Sequence, residues 1–152
     1  FHILGWGSQV VEDYLCKWVR DRPRSRFEPL LLVGPLLEAV DIVLFPAKSG
    51  QGTAMACLQA MAAGKVVIVA QTGGLTDLVL HDHNGLVIAP QAASIAEAVD
   101  ELLAQPDRRW ALGRRARETA REAFSLARWK DRWRELIREF IGNGHGETIS
   151  SK

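Results

Sequence analysis

The residues best suited to chemistry lie in the middle of the chain, between two hydrophobic segments. A loop with Gly50 and Gly52 follows a predicted strand that ends at Phe45, and a predicted helix opens at Thr53. The first turn of a helix leaves backbone N–H groups without partners and carries partial positive charge, which suits a phosphate. In an open parallel sheet, this position is also the carboxyl end of a strand. The pattern predicts an anion or phosphate site here.

A second glycine pair, Gly5 and Gly7, falls between a predicted strand and a predicted helix. In a dinucleotide-binding fingerprint the third glycine would stand at position 10, which is Val10 in this chain. Two glycines alone are a weak signal. They favour a plain tight turn, and nucleotide contact stays open as the alternative.

The segment His81-Asp82-His83 carries side chains that bind metals in other proteins. Two histidines do not complete a site, and the sequence has no cluster of Cys or Glu to supply the rest. We therefore expect a polar turn and no metal. Ser49 lies in no nucleophile-elbow pattern, so a hydrolase triad is not supported.

Six arginines stand late in the chain among acidic residues: Arg108, Arg109, Arg114, Arg115, Arg117 and Arg121. Charges of mixed sign predict a solvated face, and no nucleic-acid partner is expected. Peripheral contact with an anionic membrane surface stays open.

Composition bounds the class of protein. The chain has 152 residues, of which 47% are hydrophobic and 24% charged, enough for one domain with a core. Its net charge of +1 excludes a wholly basic nucleic-acid coat. The two cysteines have no paired spacing, and the sequence shows no signal peptide and no apolar segment long enough to span a membrane. These features predict a cytoplasmic location, and peripheral contact at the inner face of the membrane stays open as an alternative. Because Phe1 stands within an apolar run, we expect the chain to begin partway through a longer reading frame.

Hydrophobic patterning places these residues on alternating strands and helices. Strands are predicted at 1–4, 30–33, 41–45, 66–70 and 86–88. The run Val66-Val67-Ile68-Val69-Ala70 is apolar throughout, as a strand buried on both faces requires. The alternation predicts an α/β fold, with an open parallel Rossmann-like sheet, flanking helices and a helical C-terminal third.

The C-terminal third is predicted to hold three helices and a polar tail at 142–152. Ser94 and Glu97 have the spacing of a capping box at the start of the first. The second covers about 107–124, and Ser125 caps the third. The third has one apolar stripe: Leu126, Trp129, Trp133, Leu136, Ile137 and Phe140.

Four blocks of sequence carry a resemblance to a known family. They are AVDIVLFP at 39–46, QAMAAGK at 59–65, TGGL at 72–75 and HNGLV at 83–87. In this order and spacing they resemble the retaining, family-four type of glycosyltransferase, which has two Rossmann domains in the B fold (GT-B). The resemblance covers about 1–124 and matches the carboxyl-terminal, donor-binding domain. It implies sugar transfer from a nucleotide-diphosphate sugar with retained configuration, without metal or covalent cofactor.

The resemblance also implies roles for particular residues. The family has two glutamates with seven residues between them, one contacting the transferred sugar and one the ribose hydroxyls; here they are Gln51 and Gln59. Gln51 thus holds the catalytic position. An amide has one acceptor oxygen where a carboxylate has two. The family's Gly-aromatic-Gly is Gly52-Thr53-Ala54 here, and the donor-binding residues would be Gly5, Gly7, Gly52, Thr53, Ala54, Met55 and Gln59.

By the same resemblance, residues 1–141 form a single, partial nucleotide-sugar-binding domain. A first strand and helix with basic residues would lie before Phe1, and 125–141 would be the closing helix, which crosses back onto an amino-terminal domain. The implied partners are a nucleotide-diphosphate sugar and that missing acceptor domain or a companion chain. Self-association through the apolar stripe or the unpaired strand edges is a further expectation. The alternative function, favoured by Gln51, Gln59 and Ala54, is a catalytically degenerate domain that acts as a binding or assembly partner.

Overall fold

A computed structural model describes residues 2–5, 9–29, 33–46 and 53–143. The chain divides into two compact units, Phe1–Val40 and Asp41–Lys152. The prediction of one domain over 1–141 stays a prediction. The tail prediction falls mostly outside the described residues, since the last helix reaches Asn143.

Within its described residues, the first unit has two strands and two helices. These are β1 (His2–Gly5), α1 (Gln9–Arg20), β2 (Arg26–Pro29) and α2 (Val33–Ala39). The two strands pair in parallel, with His2 opposite Arg26 and Ile3 opposite Phe27. A parallel pair joined through a helix is the expected crossover unit of an α/β fold.

The strand predicted at 30–33 lies mostly outside the described residues, since only its last residue, Val33, is described, and Val33 opens α2. The strand β2, at Arg26–Pro29, was not predicted from the sequence. Phe27 lies between Arg26 and Glu28, and this alternation suits a strand with one apolar face. Pro35 falls in the first turn of α2, where its missing N–H has no helical partner to lose.

The second unit contains a three-stranded parallel sheet in the order β3 (Ile42–Phe45), β4 (Val66–Ala70) and β5 (Leu86–Ile88). All five residues of the central strand β4 are buried, as its uninterrupted apolar run predicted. Four helices follow or separate the strands: α3 (Thr53–Ala62), α4 (Ala92–Ala104), α5 (Pro106–Ala123) and α6 (Leu126–Asn143). The α/β class, the parallel pairing and the helical C-terminal third are therefore confirmed.

The core of this unit forms between β4, β5, α4 and α5. Its buried side chains are Val66, Ile68, Leu86, Ala98, Leu102 and Leu112. Two glycines lie where the end of α3 approaches α5. Gly64, at φ +75°, lies in the turn after α3, and a Cβ on Gly113 would collide with the Gly64 carbonyl oxygen. Glycine suits both positions, because other residues disfavour the positive φ at Gly64 and would bring a Cβ into the close contact at Gly113.

Helix starts were predicted less well than helix bodies. The predicted capping box at Ser94 is wrong: α4 opens at Ala92, with Gln91 at its N-cap, so Ser94 lies inside the first turn. Ala92 and Ala93 are strong helix formers and extend the helix upstream. Ser125 does cap α6, since its Oγ accepts the Arg128 N–H over 3.3 Å.

Candidate functional site

The carboxyl edge of the three-stranded sheet gathers the elements of the predicted anion site. Parallel pairing puts the strand ends at Phe45, Ala70 and Ile88 on one edge. Backbone bonds tie this edge together: the Gln71 N–H donates to the Ile88 carbonyl over 2.8 Å. Helix α3 ends directly before the amino end of β4, so its first turn lies toward the carboxyl edge.

Helix α3 has one buried face and one exposed face. Cys57, Ala60 and Met61 are buried, and burial raises the pKa of the Cys57 thiol to about 12. Ala54, Met55 and Gln59 are exposed, Met55 at 65% of its surface. Met55 and Gln59 are four residues apart and therefore share one side of the helix.

The remaining predicted site residues are placed only in part. Thr53 opens α3, and Gly5 ends β1 in the other compact unit. Gly7, Gln51 and Gly52 lie outside the described residues. The described part of the candidate site is therefore the first two turns of α3, from Thr53 to Gln59.

A short 3₁₀ helix, Gly73–Asp77, packs against α3 at the same edge of the sheet. Gly73 has φ +57°, Leu75 is buried, and the Thr76 hydroxyl donates to the Gly73 carbonyl over 3.2 Å. The TGGL block at 72–75 overlaps this segment, but none of its residues was predicted as a site residue. Its position directly after β4, at a strand's carboxyl end, was the available signal.

Asn84 and Gly85 have structural roles. Asn84 is fully buried; its Oδ1 accepts the Leu80 N–H over 2.7 Å, and its Nδ2 donates to the Leu78 carbonyl over 3.1 Å. A Cβ on Gly85 would lie 2.7 Å from the Val67 carbonyl oxygen. This block therefore fixes the turn before β5.

The predicted polar turn at His81-Asp82-His83 is held by specific bonds. His81 Nδ1 accepts the Val87 N–H over 3.0 Å. Arg108 donates to Asp82 Oδ1 from Nε (3.1 Å) and Nη2 (2.7 Å), which lowers the pKa of that carboxyl, and it also pairs with Glu101. Across the described ranges, no three His, Cys, Asp or Glu side chains are grouped to hold a metal ion.

An exposed aromatic residue that the charge pattern did not predict stands among the arginines of α5. Trp110 is 70% exposed, and the Arg114 guanidinium lies 5.3 Å from its ring centroid. Arg114 also approaches Glu118, so the face is mixed in charge as predicted. None of the helices in the described ranges is long and apolar enough to cross a bilayer.

The fold defines the class of protein. Sucrose-phosphate synthase from Thermosynechococcus elongatus is similar over 93% of this chain and 38% of its own, with TM-score 0.80 and 21% identity. Anabaena HepE in complex with UDP and glucose is similar over 91% of this chain and 40% of its own, with TM-score 0.79 and 19% identity. The chain thus has the α/β fold of GT-B glycosyltransferases.

The family follows from the sequence match. The family model described as Glycosyl transferases group 1 matches residues 33–119, and the chain belongs to this family. It is 34% identical over 89 residues to alpha-maltose-1-phosphate synthase from Mycolicibacterium smegmatis, covering 54% of this chain and 23% of the relative. A GDP-mannose-dependent alpha-(1-6)-phosphatidylinositol monomannoside mannosyltransferase from Mycobacterium tuberculosis is 37% identical over 87 residues, covering 57% of this chain and 21% of the relative. The chain thus spans less than a quarter of either relative.

Proposed function

We propose that this chain is the donor-binding part of a glycosyltransferase that moves a sugar from a nucleotide-diphosphate sugar with retained configuration. The observation that carries the proposal is the position of α3, whose first turn lies toward the carboxyl edge of the parallel sheet with Met55 and Gln59 exposed. Relatives named for GDP-mannose and a similar structure in complex with UDP support a nucleoside diphosphate as the ligand.

The proposed roles follow the polarity of the helix. Backbone N–H groups at Thr53, Ala54 and Met55 would bind the diphosphate, because an α-helix leaves its first N–H groups without internal partners. Gln59 lies on the Met55 side of the helix, and its side-chain oxygen would accept a hydrogen bond from one ribose hydroxyl. Gln51 and Gly52 would meet the transferred sugar.

The remainder of the protein would supply what this chain lacks. Its curated relatives are four to five times as long as the matched region. We place the acceptor-binding part in a further domain or a companion chain. The isolated chain is therefore expected to bind a donor weakly and to transfer no sugar.

A second function is favoured by the two glutamines. By the resemblance, Gln51 and Gln59 would stand where the family carries glutamate. A neutral amide provides no negative charge beside a positive transition state, and Gln59 can accept with one oxygen only. A degenerate domain would keep weak nucleotide affinity, and would bind or assemble with a partner without transferring sugar.

Calorimetric titration with UDP, GDP and ADP tests the proposed ribose contact. Gln59→Glu should tighten binding of the favoured nucleotide by about 1–2 kcal/mol, since a carboxylate accepts from both hydroxyls. The matched control is Gln105→Glu, which adds the same charge at the exposed junction of α4 and α5. Equal effects of both variants, or no nucleotide binding at all, would contradict the proposal.

A transfer assay separates the two functions. The protein that includes the acceptor part is mixed with the preferred sugar nucleotide, and released nucleoside diphosphate is measured with and without acceptor. Acceptor-dependent release supports the enzyme. Binding without release, restored to turnover by Gln51→Glu, supports the degenerate domain.

A further inference from the structure

Strand β5 is the outer strand of its three-stranded sheet, as far as the described residues go. It pairs with β4 on one side, with Val69 opposite Val87 and Ala70 opposite Ile88. An outer strand leaves backbone N–H and C=O groups on its free side, and these groups attract other strands. The partner of its outward N–H therefore decides whether this edge is open or closed.

The outward N–H of β5 belongs to Val87. The Ile88 carbonyl faces β4, because it accepts the Gln71 N–H over 2.8 Å. Backbone groups of successive residues in a strand point to opposite sides, so the Val87 N–H points away from β4. It donates instead to Nδ1 of the His81 side chain over 3.0 Å. An imidazole nitrogen therefore takes the place that a carbonyl of a further strand would occupy.

The turn before β5 holds His81 beside this edge. The backbone of His81 forms a parallel bridge with Gly85, and the Asp82 N–H donates to the Gly85 carbonyl over 2.8 Å. In addition, Arg108 of α5 donates two hydrogen bonds to the Asp82 carboxylate. The turn is thus bonded to α5, and His81 reaches the Val87 N–H from a defined position.

The hydrogen bond between His81 and Val87 requires a neutral ring. Nδ1 accepts the bond, so the proton of the neutral ring lies on Nε2. A protonated imidazole carries N–H groups on both nitrogens and has no acceptor. Histidine is the side chain that ordinarily changes charge between about pH 5 and 8. The bond therefore forms toward the upper end of this range and is lost toward the lower end.

The charged and titratable groups around the turn come from three elements. They are Asp82 and His83 of the turn, Glu101 of α4, and Arg108 and Arg115 of α5. The Asp82 carboxylate attracts a charged His81 ring, and the two arginines repel it. The pKa of Asp82 lies below its ordinary value of about 4, mainly because Arg108 donates hydrogen bonds to the carboxylate. Asp82 therefore stays charged over the range in which a histidine titrates.

We propose that His81 is a pH-dependent cap on the edge of the sheet: the neutral ring closes the outward N–H of β5, and the protonated ring releases it. Release leaves the Val87 N–H to solvent or to an incoming strand. The two states differ in one hydrogen bond, so β5 stays paired with β4 in both. The proposal does not rest on donor binding, because it uses only the turn, β5 and the residues around them.

A scalar coupling across the hydrogen bond, between the Val87 amide nitrogen and His81 Nδ1, tests the cap in the isotope-labelled chain. We expect this coupling at about pH 8, with ring shifts of an Nε2–H tautomer, and its loss at about pH 5. Exchange of the Val87 amide is measured relative to an unstructured peptide at the same pH. Its protection should fall by about three- to tenfold over this range, as the loss of one hydrogen bond implies.

Two variants of His81 and one control separate the cap from other effects of pH. His81→Gln cannot titrate, so the protection of the Val87 amide should no longer depend on pH. His81→Ala should give the low protection at both pH values. The matched control, His83→Gln, removes the other exposed histidine of the same turn and should leave the pH dependence unchanged. Amide spectra that match the parent outside the turn verify the fold of each variant.

The proposal has clear contrary outcomes. Absence of the coupling at about pH 8, or equal protection of the Val87 amide at the two pH values, would overturn it. A pH dependence that survives in His81→Gln, or that disappears in His83→Gln, would also overturn it, because a group other than His81 would then be responsible.

Discussion

The side-chain amide of Asn84 donates a hydrogen bond of 3.3 Å to the hydroxyl of Thr119, across 35 residues of sequence. Thr119 in turn donates to the Arg115 carbonyl of its own helix over 2.8 Å. One buried amide thus ties the turn before β5 to α5. This contact explains the Asn in the HNGLV block without any role for it in binding a ligand.

Asn84→Ala should lower the free energy of unfolding by about 2–3 kcal/mol, because it leaves the Leu80 N–H and the Leu78 carbonyl without their partner. Urea denaturation measures the change. His83→Ala, at the exposed neighbouring position, should stay within about 0.5 kcal/mol of the parent chain. A small loss for Asn84→Ala would mean that water replaces its bonds.

Gly113→Ala should lower the free energy of unfolding by about 1–3 kcal/mol, since the added Cβ forces α5 away from the Gly64 carbonyl. The same substitution at Gly142, in α6, meets no atom within 4 Å and should cost nothing, because alanine favours helix. Thermal denaturation of the two variants makes the comparison. Equal melting temperatures would contradict the close α3–α5 contact.

The Asp82–Arg108 pair should make stability depend on pH in the acid range. The folded-state pKa of Asp82 lies below its ordinary value of about 4, mainly because Arg108 donates hydrogen bonds to the carboxylate. The pair therefore contributes stability above about pH 4, and this contribution disappears as the pH falls through the lowered value. Since the pair is exposed, we expect it to contribute less than about 1 kcal/mol to the free energy of unfolding.

Denaturation of Asp82→Asn at pH 7 and near pH 2 isolates that contribution. Asparagine tolerates the positive φ of +58° at this position, so the substitution removes charge without straining the turn. The variant should be less stable than the parent at neutral pH and equal to it in acid. Asp100→Asn, on the exposed face of α4, is the control. A difference in stability between Asp82→Asn and the parent that persists unchanged in acid would point to a cause other than charge.

Elements with strong local patterns were predicted from sequence. The all-apolar run of β4, the glycine after α3 and the long periodic helices were each found where expected. The strand β2 was not predicted, because it has only Phe27 as an apolar signal between its charged residues and is recognised by its pairing with β1. The strand predicted at 30–33 lies mostly outside the described residues. Pairings such as Asp82 with Arg108 join residues distant in sequence, and no local pattern encodes them.

The candidate site was predicted less completely. Residue types and the strand-to-helix order located α3, and its exposed face carries the expected Ala54, Met55 and Gln59. The 3₁₀ helix Gly73–Asp77 was not assigned to the site, because its contact with α3 depends on the order of strands in the sheet. Trp110 was overlooked because the arginines around it dominate the pattern.

The central claim, that the start of α3 binds the nucleoside diphosphate of a donor, is tested most directly by amide chemical shifts of the isotope-labelled chain. UDP, GDP and ADP are titrated separately to roughly millimolar concentration. For at least one of them we predict saturable shifts confined to residues 53–59 and 71–75, with the amides of α6 unmoved. No saturable shift at 53–59 with any of the three, or shifts centred elsewhere in the chain, would contradict the account.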